Sequence, residues 1–431
     1  MSARTVSPPW LRCLLVGLAA VCLAVAGRAE PARPFREIVL GASLFRAAWA
    51  YKHDRPWLES QLDLLARHKF DAIRALGVVG DPARPDYWDG REIDWRWDDY
   101  DATIAGLTDL AHDKYGIRVQ WTIFADAQAS IPSEDDRAKL IERFIDMARG
   151  RERKILAFEI ANEFYQNGFE GEEGLRQLRR FSARLNEETS VPVAISSHAQ
   201  GLCGVYDART ADFATVHFDR SAEAARWSPV SRPWRIERRQ PPLAACSSLP
   251  EPVSNNEPTG PGASVASNGD ALAIVMAAVN TYLAGIPVYI FHSGPGVRDD
   301  PLHPKGLRPR SIEQLPGADA TLRGLAAARG YVPPDVITWK SVGGADADYP
   351  FGGTEGAQVS LGAIKDRRFI AAVSGFDGER PLVARGQMLA RSIDPLTGKT
   401  VQERRLSKGD ALVVAGPAAI VTGTMIDGTL R

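Results

Sequence analysis

Short apolar runs alternate along most of the chain with longer stretches whose apolar positions recur at helical spacing. The runs that read as strands are EIVLGA (37–42), AIRALG (72–77), RVQWTIFA (118–125), ILAFEIAN (155–162), PVAISS (192–197), FATVHF (213–218), PVSNN (252–256) and PVYIFH (287–292). Helical patterns stand between most of them: WLESQLDLLARH (57–68), ATIAGLTDLAHDKYG (102–116), AKLIERFIDMARG (138–150), EEGLRQLRRFSARLNEE (172–188) and DALAIVMAAVNTYLAG (270–285). The second of these ends in a glycine of the kind that stops a helix.

Eight strands with helices between them predict an α/β fold, a (β/α)8 TIM barrel, over residues 30–340. The step from the fifth strand to the sixth is short, and its GLCGVYDART leaves little room for a helix. An open doubly wound sheet is the competing fold. It would normally carry a glycine-rich nucleotide loop after the first strand, where this chain continues as SLFRAAWAYKHD. Past residue 340 the helical period vanishes. AQVSLGAI, FIAAVSGF, GQMLARSI and ALVVAG follow one another with turns between them, which predicts a small, sandwich-like antiparallel β-domain over 341–431. Segment 228–250, rich in Pro, Arg and Ser, reads as a long loop leaving the sixth strand.

The N-terminus departs from this texture. Arg4 and Arg12 precede LLVGLAAVCLAVAG, and small residues follow at Ala24-Val25-Ala26 and Gly27-Arg28-Ala29. That pattern predicts a signal peptide over 1–29 and a secreted or periplasmic protein. The run is short for a membrane span, so no stable membrane insertion is expected. Cys13 and Cys22 fall within the signal. Cys203 and Cys246 remain, either bridged or as two separate thiols.

The 431 residues carry 52 basic and 53 acidic side chains, a balance that gives no reason to expect nucleic acid as a partner. Zinc-type ligand spacing, a phosphate loop and a Gly-x-Ser-x-Gly elbow are all missing from the sequence, and no cofactor or metal is expected.

The chemistry concentrates in ILAFEIANEF (155–164), an apolar strand that ends in Asn162-Glu163. In a barrel, side chains at the C-terminal ends of the strands face a shared mouth. Glu163 would point there. Glu159 lies on the same side of the strand, deeper, where it would orient its neighbours. The seventh strand ends in VSNNEPTGPG and places Glu257 at the same level. Two carboxylates across one mouth are what glycoside hydrolysis requires.

FEIANEF resembles the strand-four signature of the clan A glycoside hydrolases, which include cellulases, β-mannanases and β-galactosidases on (β/α)8 barrels. The pattern there is an aromatic, Glu, an aliphatic, any residue, then Asn-Glu-Pro. This chain supplies Phe158, Glu159, Ile160, Ala161, Asn162 and Glu163, with Phe164 in place of the proline. The resemblance implies a retaining hydrolase of β-linked glycans, with Glu163 as general acid/base and Glu257 as nucleophile. It also implies that Asn162 binds the sugar 2-hydroxyl and that Arg74 stands beside the nucleophile. His217 matches the clan's strand-six histidine, but Phe218-Asp219 follows it, so the tyrosine of the cellulase-like His-x-Tyr is missing. His292, ending strand eight, occupies a place where tryptophan is more usual.

His198, after strand five, is expected to line the cleft. Trp49, Trp88, Trp95, Trp97, Trp227 and Trp234 fall mostly on loops expected at the mouth, where indoles can stack on sugar rings. Trp88, Trp95 and Trp97, interleaved with Asp86, Asp89 and Asp94, form the best candidate sugar-binding loop. Trp121 lies inside strand three and reads as core. The competing function is a non-catalytic glycan-binding barrel, and it is the facing of Glu163 and Glu257 that separates the two.

Overall fold

A computed structural model of the chain describes residues 34–81, 88, 90–199, 203–206, 211–218, 227, 250–258, 260–261, 268–297 and 311–426. The signal segment, Trp234, Cys246 and the side chains of His198 and Cys203 lie outside the described residues.

Eight parallel strands close into a barrel in chain order. They are β1 (Val39–Ser43), β2 (Ala72–Val78), β3 (Arg118–Phe124), β4 (Ile155–Ala161), β5 (Val193–Ala199), β6 (Ala214–His217), β7 (Val253–Asn255) and β8 (Val288–Phe291). Pairing of β8 with β1, Val288 opposite Val39 and Ile290 opposite Gly41, completes the closure. Between β5 and β6 the described residues hold one 3-10 turn, Cys203–Tyr206, in keeping with the short connection.

Alternation along the strands divides their side chains between two environments. Phe158 points outward and meets Phe144 of the helix Glu134–Ala148 edge-on, at a centroid distance of 6.0 Å. Trp121 packs on the same Phe144 at 5.7 Å, as core. The inward positions change character with height. At the N-terminal end Phe35, Val39, Ala72, Ala157, Phe213 and Val288 form a dry plug, with Phe35 edge-on to Phe213 at 5.3 Å. Higher in the barrel, two positions beyond Ala72, Ala157 and Phe213 along the chain, Arg74, Glu159 and Thr215 are fully buried, as is Thr122 of β3. An ionised pair there is tolerated only because each member is paired and hydrogen-bonded.

After the barrel, helix Ala318–Tyr331 leads into a six-stranded sheet made of β9 (Lys340–Gly343), β11 (Val359–Lys365), β12 (Arg368–Ser374), β14 (Met388–Ile393), β15 (Thr400–Leu406) and β17 (Ala418–Met425), in the spatial order β15-β14-β17-β12-β11-β9. A three-stranded antiparallel sheet of β10 (Phe351–Gly352), β13 (Glu379–Ala384) and β16 (Ala411–Ala415) lies beside it. Alternate residues of the larger sheet serve different cores: Leu361, Ala363, Ile370 and Ile420 join the barrel's core, whereas Phe369, Ala371, Val373 and Val421 face Leu382 and Leu412 of the smaller sheet. Helix Ala271–Leu283 explains the join. It is apolar on nearly all of its surface, Asn280 and Thr281 excepted, and buried from Ala273 onward, as expected of a helix covered on every side. The barrel and the sheets accordingly form one compact unit, Phe35–Arg431. Tyr331 reaches across to the carbonyl of Pro395 at 3.1 Å. Among the described residues no helix is long and apolar enough to cross a membrane.

The polar layer supports a direct stability test. Glu159→Ala would leave Arg74 with one buried acidic partner in place of two, and removal of one member of a buried pair costs about 3–5 kcal/mol. Chemical denaturation of this variant should show a loss of that size, and a loss below about 1 kcal/mol would show that the layer does not depend on the pair.

Candidate active site

Arg74 rises from β2 into the centre of the barrel mouth. Its Nε is 2.9 Å from Glu159 Oε2 and 3.0 Å from Thr122 Oγ1, and its Nη2 is 2.6 Å from the same carboxylate oxygen. Nη2 also donates to Asn162 Oδ1 at 2.9 Å, and Nη1 donates to Glu257 Oε1. Burial opposes the charge of Arg74, but the Glu159 and Glu257 carboxylates outweigh it and hold the guanidinium pKa above its ordinary value.

Glu159 carries no chemistry toward the mouth. Both of its oxygens are taken: Oε2 by Arg74 and Thr122 (2.6 Å), Oε1 by Thr215 (2.6 Å) and Asn256 (2.8 Å). This is the orienting role that its place one step below Glu163 suggested. Asn256 thereby ties the residue beside Glu257 to the centre of the barrel. The chain then turns back over β8 at Gly260, where a Cβ would stand 1.6 Å from the carbonyl oxygen of His292, so only glycine fits.

Glu163 begins the 3-10 turn Phe164–Gln166, with φ 39° and ψ 65°. A non-glycine residue in this left-handed region costs about 1–3 kcal/mol and persists only where its surroundings impose it. Here they do. The amide of Asn162 is bonded to the carbonyl of Phe124 at 2.8 Å, that of Phe164 to Ser196 Oγ at 3.0 Å, and Asn167 Nδ2 donates to the carbonyl of Glu163 at 3.2 Å. Gln166 Nε2 donates to the Glu163 carboxyl at Oε2.

His217, at the end of β6, stands between the two acids. Its Nδ1 is 2.9 Å from Glu163 Oε1 and its Nε2 is 3.4 Å from Glu257 Oε1. His292 Nε2 lies 3.9 Å from the other Glu257 oxygen, and its Nδ1 is 2.9 Å from Ser43 Oγ. Glu163 and Glu257 are 9 % and 3 % exposed, so both are mostly shielded from water. One ligand atom each from Glu163, His217 and Glu257 fall within 4.8 Å of one another. A cation could be drawn to such a trio, but the guanidinium of Arg74 already supplies a positive charge against Glu257, and we assign no metal here.

Glu163, Glu257, Asn162, Arg74, His217 and His292 therefore converge at one mouth. The tryptophans divide. Trp88 is half-buried near the mouth, with its indole N–H donating to Asp126 Oδ2 at 2.7 Å. Trp95 and Trp97 lie on the loop before helix Tyr100–Tyr115 and pack against the core. Trp97 has Lys52 over its ring at 5.1 Å and His53 against it at 5.6 Å, so its face is already in use. Trp227 is buried, and a side chain at Gly375, in the C-terminal β-region, would run into it at 3.0 Å. Glu251, the other carboxylate near strand seven, is exposed and precedes β7, at the end of the barrel away from the mouth. The β5 backbone runs through His198, with Val216 of β6 as its pairing partner.

Thr122, Thr215, Asn256, Gln166 and Asn167 went unremarked in the sequence. The first two carried a usable signal, a polar residue at the inward position of an otherwise apolar strand. Gln166 and Asn167 carried none, because their roles depend on a turn that the sequence does not specify.

No protein-family model matches this sequence, and no curated protein matches it. Solved structures do. The chain is similar to one described as a glycoside hydrolase, with a TM-score of 0.62 and 10 % identity over 91 % of this chain and 94 % of that one. It is similar to a family 5 glycoside hydrolase from Bacteroides vulgatus, with a TM-score of 0.62 and 11 % identity over 91 % and 90 % of the two chains. A conserved exported protein from Bacteroides fragilis matches with a TM-score of 0.53 and 10 % identity over 92 % and 99 %. At these identities the likeness is one of fold: the chain shares its barrel fold with structures described as glycoside hydrolases.

Proposed function

We propose that this protein is a retaining glycoside hydrolase acting on β-linked glycans or glycosides. The observation that carries the reading is the facing of Glu163 and Glu257, with an oxygen of each within 4.8 Å and His217 between them. Carboxyl groups about 5–5.5 Å apart suit double displacement, and about 6.5–9.5 Å would be needed to seat a water for inversion. The fold shared with the family 5 enzyme agrees with this reading.

The roles follow from the electrostatics. Arg74 on Glu257 favours the ionised nucleophile. With His217 protonated on Nε2 toward Glu257, Nδ1 is left to accept from a protonated Glu163, the state a general acid needs. Glu257 attacks the anomeric carbon as the bond to the leaving oxygen breaks, and Glu163 gives that oxygen its proton. A glycosyl ester on Glu257 results. Glu163, now a carboxylate, takes a proton from water as the water attacks the same carbon, and Glu257 departs as a carboxylate. Asn162, oriented by the bond from Arg74 to its Oδ1, is the side chain that would meet a sugar hydroxyl. We also propose export to the periplasm or beyond. The N-terminal arginine-then-apolar pattern supports this, and so does the likeness to a protein described as exported.

Turnover should be measured on aryl β-glycosides and polysaccharides for the wild type, Glu163→Ala and Glu257→Ala. Each variant should lose about 10²–10⁴-fold or more. Azide should restore turnover in both, with an α-glycosyl azide from Glu257→Ala and a β-glycosyl azide from Glu163→Ala. Full activity in Glu257→Ala would remove its role. Glycan binding without wild-type turnover would favour a non-catalytic barrel.

Arg74→Gln tests the charge on the nucleophile. A cation beside a carboxyl favours its ionised form, so removing the cation makes deprotonation harder. The acidic limb of the kcat/KM profile should move to higher pH, with activity lost first on the acid side. An unmoved limb would separate Arg74 from the ionisation of Glu257.

A further inference from the structure

Two non-glycine residues at the mouth hold left-handed backbones, Glu163 (φ 39°) and Asp126 (φ 51°). They belong to neighbouring strand ends, and Asn167 joins them. Asp126 N–H donates to Asn167 Oδ1 at 2.8 Å, and Asn167 Nδ2–H donates to the carbonyl of Glu163 at 3.2 Å. Both ends of one buried amide are thus committed, which fixes its orientation. The chain has one further link outward: the indole N–H of Trp88 donates to Asp126 Oδ2 at 2.7 Å. The turn is clamped from the other side as well. Arg137 Nη1 donates to the carbonyl of Gly168 at 2.8 Å, and a Cβ at Gly168 would stand 2.5 Å from the amide nitrogen of Gln128.

Resting on the acid/base assignment of Glu163, we propose that Trp88 is a positioning residue for that acid. Acting through Asp126 and Asn167, it holds the Glu163 backbone in its left-handed conformation, so that the carboxyl meets the leaving oxygen. An aromatic on a sugar-facing loop would ordinarily serve as a stacking platform, and here its N–H has a second task. The two tasks are separable, because phenylalanine keeps a ring and loses the N–H.

General acid assistance matters most when the leaving group is a poor one, and this gives a readout that a merely structural role would not move. Trp88→Phe, Asp126→Asn and Asn167→Ala should be compared with wild type on a phenyl and a dinitrophenyl glycoside of the same sugar. The parameter to compare is kcat/KM, which reports only as far as the glycosyl-enzyme. The expected result is a fall of about 10–100-fold on the phenyl glycoside and no more than about 3-fold on the dinitrophenyl one, with the larger part in kcat. An equal loss on both substrates, or none, overturns the proposal. If the wild type turns over no glycoside, the acid/base reading itself has failed. The positioning link is then decided by crystal structures of Trp88→Phe and Asn167→Ala. It stands if φ of Glu163 leaves the positive region, and it falls if Glu163 stays where it is.

Discussion

The guanidinium of Arg74 is the interaction on which the mouth of the barrel depends. It is wholly buried, and among the described residues its anionic partners are Glu159 below and Glu257 above. A buried charge of this kind is stable only if fully paired, which constrains every strand around it. Thr215 and Asn256 saturate the Glu159 oxygen that Arg74 leaves open, and Thr122 adds a bond to the one that Arg74 takes. Shifting any of these strands by one residue would turn the polar side chain out toward the helices and bring an apolar one in. The network therefore fixes the register of β2, β3, β4 and β6 as well as the charge of the site. The contacts give the same asymmetry that the proposed chemistry needs. Arg74 is in direct contact with Glu159 and Glu257, whereas Glu163 has His217 against it. The acid farther from Arg74 is the one better suited to hold a proton.

The site can be polar because the rest of the unit is not. The barrel floor is closed by Phe35, Phe213 and their aliphatic neighbours, and the outer faces of the strands are packed against helices. On the side facing the C-terminal sheets the cover is a helix apolar on nearly all of its surface. That helix needs a second surface against it, and the six-stranded sheet provides one. The β-domain thus completes the burial of the barrel's own helix layer. A sheet buried on both faces, with one set of alternate residues in each core, joins the two more firmly than a linker would.

Much of this was legible in the sequence, and the limits have physical causes. Strand positions came through because barrel strands are continuous apolar runs, and the boundaries of β2, β3 and β4 fall within a residue or two of the expected ones. Glu163, Glu257 and Arg74 were legible because a charge inside an apolar strand or at its end demands an explanation. Helix Ala47–His53 was not, because the stretch after β1 shows no period long enough to count turns. The tryptophans were the least legible. Their composition suggested sugar stacking, but composition does not say which face of an indole is already covered. Trp97 and Trp227 prove to be engaged elsewhere.

The departure of Phe164 from the Asn-Glu-Pro pattern connects these points. Proline would supply a fixed φ and no N–H at the residue after the acid. Phenylalanine leaves φ unrestricted and brings a donor into a buried position, where an unbonded N–H is costly. The fold answers both changes. Ser196 accepts from the Phe164 amide at 3.0 Å. The Glu163 backbone is then held through its carbonyl by Asn167, in a conformation that the chain would otherwise leave. A turn that ring geometry could have stiffened is stiffened here by hydrogen bonds reaching to β5 and to the loop after β3. Its rigidity is therefore a property of several residues distant in sequence, which is why the strand-four motif alone could point to the carboxylate but not to how it is held.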